Sequence, residues 1–363
     1  MKANLDSSVP AAAPAEIAPR ALAWWDRARR TLPWRAEAGE SADPYRVWLS
    51  EILLQQTTVQ AVIPYFERFT TLWPGVEDLA AAPLDEIMRA FAGLGYYSRA
   101  RNLHACAREV ARRGGAFPAD EAALRALPGI GAYTAAAIAA IAFNEPASPV
   151  DGNIARIMTR LYAIDAPIAK AGRAIKAAAA ALTPSDRPGD FAQALMDIGA
   201  TICTPRNPDC SVCPLRFACA AARTGDPQAY PRKAARKERP LRRGAAFFAQ
   251  SRDGSVLLRT RPPKGLLGAT VELPGPPWAA DFPRGESAEG APFPARWRLT
   301  PGVVEQAFTH FLLELRVYVV RIQENPPAPS GCFWVAKEEL GRVAFSSVMR
   351  KALAHAQRHA AER

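Results

Sequence analysis

The chain has 363 residues, 49% of them hydrophobic and 22% charged, with a formal net charge of +11 and six cysteines. That length allows two domains with cores of their own, and the composition is that of a globular, soluble chain. No apolar run approaches the eighteen or so residues a membrane helix needs, and the N-terminus lacks the basic region and apolar core of a signal peptide, so a cytoplasmic protein is expected. The excess of basic residues points to a polyanionic partner. On charge alone a nucleic acid, a ribosome or a membrane surface would fit.

Residues 1–18 are rich in alanine and proline without a usable period, and are expected to form a disordered leader. A short helix is expected over Ala21 to Arg30, ended by the extended turn Leu32-Pro33-Trp34-Arg35, since a residue before proline avoids helical dihedrals. Asp43-Pro44 is a helix start, an N-cap followed by proline at the first helical position. The helix it opens carries Glu51, whose neighbours three and four residues away are Val47, Trp48, Leu54 and Gln55. A carboxyl on that apolar face is desolvated, holds its proton to higher pH and can serve as a general acid. The alternative is a partly exposed glutamate with its stem on the core. Thr57 to Leu72 continues as an amphipathic helix with Val59, Val62, Ile63, Phe66 and Phe69 on one side. Pro83 to Phe91 reads as another short helix. Gly93 to Asn102 reads as a loop, its glycines beside Tyr96, Tyr97, Arg99 and Arg101 suiting a close approach to DNA, before a helix over Leu103 to Arg113. Cys106 in that helix has no partner at metal spacing and is expected as a small buried hydrophobe.

Leu127 to Asn153, LPGIGAYTAAAIAAIAFNEPASPVDGN, is the stretch that organises the rest. Pro128, Gly129 and Gly131 make a tight turn, and an Ala/Ile run from Tyr133 starts a helix, so a hairpin between two helices is expected. Free backbone N–H groups at such a turn suit a DNA phosphate and read no base. Eighteen residues past Tyr133 stands Asp151, just before a helix over Ile154 to Ala163, and another follows over Lys170 to Leu182.

Cys203, Cys210, Cys213 and Cys219 give C-x6-C-x2-C-x5-C in a proline-rich segment. Four thiolates so close need a metal, and by spacing alone zinc and an iron–sulfur cluster fit equally. Arg223 to Arg243 reads as a linker, with seven basic residues against one glutamate from Arg232 onward, a solvated tether or a contact to DNA backbone. From Ala245 the composition changes. Ala246 to Gln250, Asp253-Gly254 and Ser255 to Arg259 make a β-hairpin; Arg316 to Arg321 and Cys332 to Val335 read as strands; Ser347 to His359 closes as a helix.

Residues 127–153 resemble the helix-hairpin-helix, Gly/Pro-rich loop and aspartate of the DNA glycosylase superfamily typified by endonuclease III. Trp-Leu-Ser-Glu-Ile-Leu-Leu-Gln-Gln-Thr at 48–57 resembles the signature of the MutY family of adenine-DNA glycosylases. The resemblance implies a mainly α fold, a helix-hairpin-helix glycosylase domain with an iron–sulfur cluster loop, plus a C-terminal α/β Nudix-like domain. It implies divisions at 1–18, 19–222, 223–243 and 244–363. It further implies that Glu51 protonates an extruded adenine, that Asp151 stabilises the oxocarbenium-like sugar or captures it, and that Tyr133 and Asn153 order this pair and the attacking water. Lyase-competent relatives carry a lysine where this chain has Tyr133, so a monofunctional enzyme is implied.

By the same resemblance Leu127, Gly129 and Gly131 hold the DNA backbone, Tyr96 wedges beside 8-oxoguanine, and Gln56 fills the duplex near the lesion. Phe308-Thr309-His310 falls where the family inspects 8-oxoguanine, with threonine in place of the usual serine. The four cysteines are implied to hold a [4Fe–4S] cluster, and Arg206 and Arg216 to reach phosphates from its loop. Gly265 to Gly268 and Glu272-Leu273-Pro274 resemble the Nudix-like domain, but the magnesium-binding glutamate box is missing, so no pyrophosphatase activity is expected. The expected partner is double-stranded DNA containing A:8-oxoguanine or A:G mispairs, bound by a monomer at the nucleoid, with no membrane. Two readings compete: a thymine or uracil mismatch glycosylase of the same superfamily, and a non-enzymatic DNA-binding protein with a four-cysteine zinc module.

Overall fold

The structure is a computed structural model that describes residues 15–37, 40–232, 238–262, 265–268, 270–283, 288–343 and 345–360. The chain divides into two compact units, Met1–Pro83 with Arg101–Ala235, and Leu84–Ala100 with Arg236–Arg363. A segment that interrupts the first unit in sequence thus belongs to the second.

Helices come first in chain order: α1 (Ile17–Ala28), α2 (Pro44–Leu54), α3 (Val59–Leu72), α4 (Val76–Ala81), α5 (Leu84–Ala90), α6 (Ser98–Arg112), α7 (Glu121–Arg125), α8 (Ala132–Phe143), α9 (Gly152–Leu161), α10 (Ile168–Leu182), α11 (Pro188–Thr201) and α12 (Ala220–Arg223). Helix α1 begins four residues before the expected Ala21. Its buried stripe of Ile17, Ala21 and Trp25, one residue per turn, already starts at Ile17. Residues 17 and 18 are therefore helix, while residues 1–14 of the expected leader lie outside the described residues. Asp43 caps α2 as expected, accepting from Tyr45 N at 2.8 Å. The helix does not run on into α3, because Gln56 takes a positive φ of 57° and Thr58 caps a fresh start. Helix α6 starts at Ser98, so residues 98–102 are helical where a loop was expected. One core of the first unit joins α1, α9, α10 and α11 through Trp25, Ile157, Met158, Ile175, Phe191, Leu195 and Ile198. Helix α11 also packs on α8, and α8 on α2. Those contacts bring the N-terminal ends of α8 and α9 beside the middle of α2.

In the second unit β1 (Leu241–Ser251) and β2 (Val256–Thr260) form the expected hairpin, and of the Asp253-Gly254 pair only Gly254 takes a positive φ. Strands β3 (Val271–Glu272), β4 (Arg298–Leu299), β5 (Val304–Ala307), β6 (Leu312–Ile322) and β7 (Cys332–Val335) complete a seven-stranded sheet, ordered β3-β2-β1-β6-β4 with β5 also on β6 and β7 on β2. β1 and β6 run parallel in register over eleven pairs from Leu241↔Leu312 to Ser251↔Ile322, and the other pairings are antiparallel. Helix α13 (Ser347–Ala360) covers one face, where Phe248, Leu258, Leu315 and Val317 meet Val348, Met349 and Ala352. Phe247 alternates with Phe248 along β1 and so points to the opposite face, where it packs with Ala245, Tyr318 and Trp297. Because β1 starts at Leu241, the last three residues of the expected linker are strand. Of that basic stretch, residues 233–237 lie outside the described residues, Arg232 pairs with Asp165 at 2.7 Å and Arg243 with Glu314 at 2.9 Å.

Candidate active site

Glu51 sits in the third turn of α2 and is 6% exposed. Burial raises its pKa from the ordinary 4.5 to about 7; a hydrogen bond from Tyr133 and the charge of Arg35 pull it down, and the negative field of Asp151 pushes it up. Tyr133 is the second residue of α8, reached directly from the hairpin. Burial and the two carboxylates hold its hydroxyl protonated far above the usual range, so it acts as a donor to Glu51.

Asp151 is the N-cap of α9. Its carboxylate accepts from Ile154 N at 2.7 Å and from Asn153 Nδ2 at 2.8 Å. Burial raises its pKa, and those donors together with Arg156 oppose the rise. Arg156 ties the loop down from behind: its guanidinium donates to Asn153 Oδ1 at 2.8 Å, Gly199 O at 2.7 Å and Cys203 O at 2.8 Å. Gly199 leaves room for this, since a Cβ there would lie 2.5 Å from Asn153 Cβ. The structure thus brings Glu51, Tyr133, Asp151 and Asn153 together from three helices.

A cavity of about 60 Å³ opens at Glu51, lined also by Arg30, Trp34, Arg35, Gln193 and Met196. Its arginines hang on one aspartate that sequence reasoning missed. Asp197 is 0% exposed and is held by Arg30 Nε at 2.5 Å and by Arg35 at 2.7 and 2.8 Å. These hydrogen bonds hold its carboxyl below the usual range in spite of burial. The signal was present in the sequence, a lone acid in the apolar run of α11, as Glu51 is in α2.

The hairpin lies between α7 and α8. Gly129 takes a φ of 76° with Asn102 packed where its Cβ would be, whereas Gly131 is extended and caps α8. Leu127 is 2% exposed, so its side chain belongs to the core and only its backbone is part of the turn. Gln56 is exposed in the α2–α3 turn. Tyr96 is 58% exposed at a φ of 50°, while Tyr97 is buried. Arg99 supports the Tyr96 loop, donating to Leu94 O and Gly95 O at 3.0 and 3.3 Å with its guanidinium 5.8 Å from the Tyr96 ring. Phe308 is half-buried and Thr309 and His310 are exposed, in the turn between β5 and β6.

Cys203, Cys210, Cys213 and Cys219 line one cavity of about 20 Å³ with Arg160, whose Nη1 donates to Cys203 Sγ at 3.2 Å. Arg160 also holds Cys203 O, Thr204 O and Pro205 O, at 3.1, 2.7 and 3.3 Å. Four thiols facing one space, with a cation on one sulfur, form a soft, anionic donor set suited to an iron–sulfur cluster. Among the described residues no group of three or more His, Cys, Asp or Glu side chains is arranged to hold a single metal ion. Arg206 and Arg216 are exposed on this loop. No helix of the described residues is long and apolar enough to cross a membrane.

The candidate site is thus a hairpin leading into a helix, an aspartate capping the next helix and a buried carboxyl facing it. Residues 49–183 match the HhH-GPD superfamily of base excision DNA repair proteins, and residues 245–355 match the NUDIX domain. The adenine DNA glycosylase of Homo sapiens is 35% identical over 393 residues, spanning 91% of this chain and 72% of the human one. That of Mycolicibacterium smegmatis is 43% identical over 197 residues, spanning 53% and 66%. A thermostable thymine-DNA glycosylase structure superposes on 57% of this chain and 95% of its own, with a TM-score of 0.51 at 32% identity. The chain belongs to the adenine DNA glycosylase family. It is an enzyme that cleaves N-glycosidic bonds in DNA, and the reading as a binding module without activity falls.

Proposed function

We propose that the enzyme removes adenine standing opposite 8-oxoguanine or guanine in duplex DNA and leaves an abasic site. The observation that carries this reading is Glu51, a buried carboxyl that holds its proton to about pH 7 beside a second carboxylate. Adenine is a poor leaving group as an anion, and a proton on a ring nitrogen lets it depart neutral. In the proposed sequence the adenine is extruded into the cavity and Glu51 donates its proton. The C1′–N9 bond then breaks with its electron pair going to the base, and the positive charge left on the sugar faces the Asp151 carboxylate. Water adds its hydroxyl to C1′ and gives its proton to the Glu51 carboxylate, which restores the acid. Tyr133 and Asn153 hold the two carboxylates in place. Tyr133 has no amine to form a Schiff base, so the strand stays intact.

Gly129, Gly131 and the backbone of Leu127 hold a phosphate, while Tyr96 and Gln56 enter the duplex. Phe308, Thr309 and His310 inspect the base opposite adenine. The four cysteines hold a [4Fe–4S] cluster that supplies a fold anchor and a one-electron redox centre. The setting assumed is a cytoplasmic, nucleoid-associated monomer.

The test is single-turnover base release from duplexes carrying A:8-oxoguanine, A:G and T:G, each with and without alkali. Strand breaks only after alkali, fastest for the first duplex, are expected. Preference for the T:G duplex would instead support the thymine reading that the thymine-DNA glycosylase likeness keeps in view. Iron and sulfide analysis of the purified protein tests the cluster, with zinc and no sulfide as the refuting result.

A further inference from the structure

A further deeply buried carboxylate lies in the sheet unit. Glu272, the last residue of β3, is 2% exposed, and two arginines fork onto it: Arg259 Nε donates to Oε1 at 2.7 Å and Arg261 Nη1 to Oε2. Arg261 is thereby fixed as a plate. Its Nε donates to Leu266 O at 3.1 Å, and its guanidinium lies over Trp278, 4.9 Å from the ring centroid. Trp278 in turn sits where β1 carries no side chain, because a Cβ on Gly244 would stand 2.4 Å from Trp278 Cδ1.

From Trp278 the stack runs outward. Phe308 lies 5.8 Å from it and stacks on Phe311 at 4.7 Å and 19°, and Arg242 covers Phe311 at 4.5 Å. The column ends at the β5–β6 turn. There Phe308 N donates to Phe311 O at 2.9 Å, and Thr309 and His310 form the two-residue exposed tip. A buried carboxylate with two cations is weak evidence for stability. What this one does visibly is hold a chain of flat groups whose last members are the base of that tip.

We propose that Arg261 and Trp278 are positioning residues for specificity: the column Glu272–Arg261–Trp278–Phe308–Phe311 sets the orientation of the Thr309–His310 tip toward the base opposite adenine. This rests on the reading that the tip inspects 8-oxoguanine. Guanine and 8-oxoguanine differ by one carbonyl oxygen and one N–H, so the discrimination available is that of one or two hydrogen bonds. Such bonds hold their value only when the groups that make them are ordered before the base arrives.

The experiment compares single-turnover rates on A:8-oxoguanine and A:G duplexes for the whole enzyme and for Trp278→Leu, Trp278→Phe, Arg261→Lys, Thr309→Ala, His310→Ala and Val348→Ala. Arg261→Lys keeps the charge on Glu272 and loses the flat face. Val348→Ala loosens the same core from α13 and replaces no member of the column. The ratio of the two rates is expected to fall about threefold to tenfold in Trp278→Leu and Arg261→Lys, the worth of one aromatic contact, and to recover in Trp278→Phe. Val348→Ala is expected to keep the ratio while lowering the unfolding temperature. An equal loss in Val348→Ala would make the effect general loosening and overturn the proposal. An unchanged ratio in Trp278→Leu and Arg261→Lys, with losses in Thr309→Ala or His310→Ala, overturns the positioning role and leaves the tip's role standing. No change in any tip variant overturns the reading on which both rest.

Discussion

Replacing Glu51 with glutamine should abolish excision and at the same time stabilise the enzyme at alkaline pH. In the folded chain Glu51 keeps its proton up to about pH 7, against the ordinary 4.5. Between those values the folded state binds a proton that the unfolded chain has released, so stability falls as pH rises. The penalty is absent below about 4.5 and complete above about 7. At about 1.4 kcal/mol per pH unit it amounts to on the order of 3 kcal/mol, with the Tyr133 hydrogen bond already included. Glutamine keeps the shape and an acceptor for Tyr133 and carries no charge to desolvate. Urea unfolding followed by far-ultraviolet circular dichroism, at intervals from about pH 4 to about pH 8, compares the two proteins directly. The curves should meet at about pH 4 and separate by about 3 kcal/mol at about pH 8, with the variant above. The difference isolates Glu51 from groups of opposite sign such as Asp197, whose stabilisation is lost as pH falls. The wild-type excision rate should drop about tenfold per unit above about 7, and fall again at acid pH where Asp151 takes up a proton. A variant less stable than wild type at alkaline pH, or a gap that does not change with pH, would refute the reasoning.

Three further outcomes rest on the same geometry. Gly199→Ala should slow excision about 10- to 100-fold, because the new Cβ collides with Asn153 and displaces the partner of Asp151; unchanged single-turnover rates would show that this loop yields freely. Asp197→Asn should destabilise the fold by about 3 kcal/mol, as it leaves the Arg30 and Arg35 guanidiniums facing each other across a buried site, and a denaturation midpoint within error of wild type would contradict this. Tyr133→Lys should form an adduct with abasic DNA that borohydride traps, and absence of any trapped species would show that the amine does not reach C1′.

What could be read from the chain followed from local rules. Glu51 stood out as a charge on an apolar helical face, Asp151 as a cap before a patterned helix, and Cys332 to Val335 and Ser347 onward as a strand and a helix at nearly their observed bounds. Most of the elements that escaped are too short for a period to show, α4 with six residues, α7 with five, β3 and β4 with two each, although α11 with fourteen escaped as well. Pairings over long separations escaped for a different reason. The clamp of Arg30 and Arg35 on Asp197 spans more than 160 residues, and the parallel match of β1 with β6 about seventy. Nothing in the pattern of either segment names its partner; that is decided when α11 packs on α1 and when the two strands share a core.

The two carboxylates of the site show how packing assigns chemistry that composition leaves open. Both are desolvated, and desolvation alone would keep a proton on each. Asp151, however, sits at the start of α9, where a backbone N–H, the Asn153 amide and the nearby Arg156 all favour the anion, while Glu51 receives one hydroxyl inside a wall of side chains. Once Asp151 is ionised its field raises Glu51 further, so the pair shares one proton and that proton stays on the glutamate. On the proposed mechanism this is the protonation state required before any base arrives: an acid toward the base and an anion toward the sugar. Arg156 joins the Asp151 loop to the backbone of Cys203, so the cysteine loop and the aspartate are held by one side chain. A change that loosens the cysteine loop should therefore act first on Asp151 and not on Glu51. It should lower the excision rate and move the pH at which that rate declines below 7 by no more than the Asp151 field contributes, and an unchanged rate or an upward shift of that pH would place the coupling elsewhere.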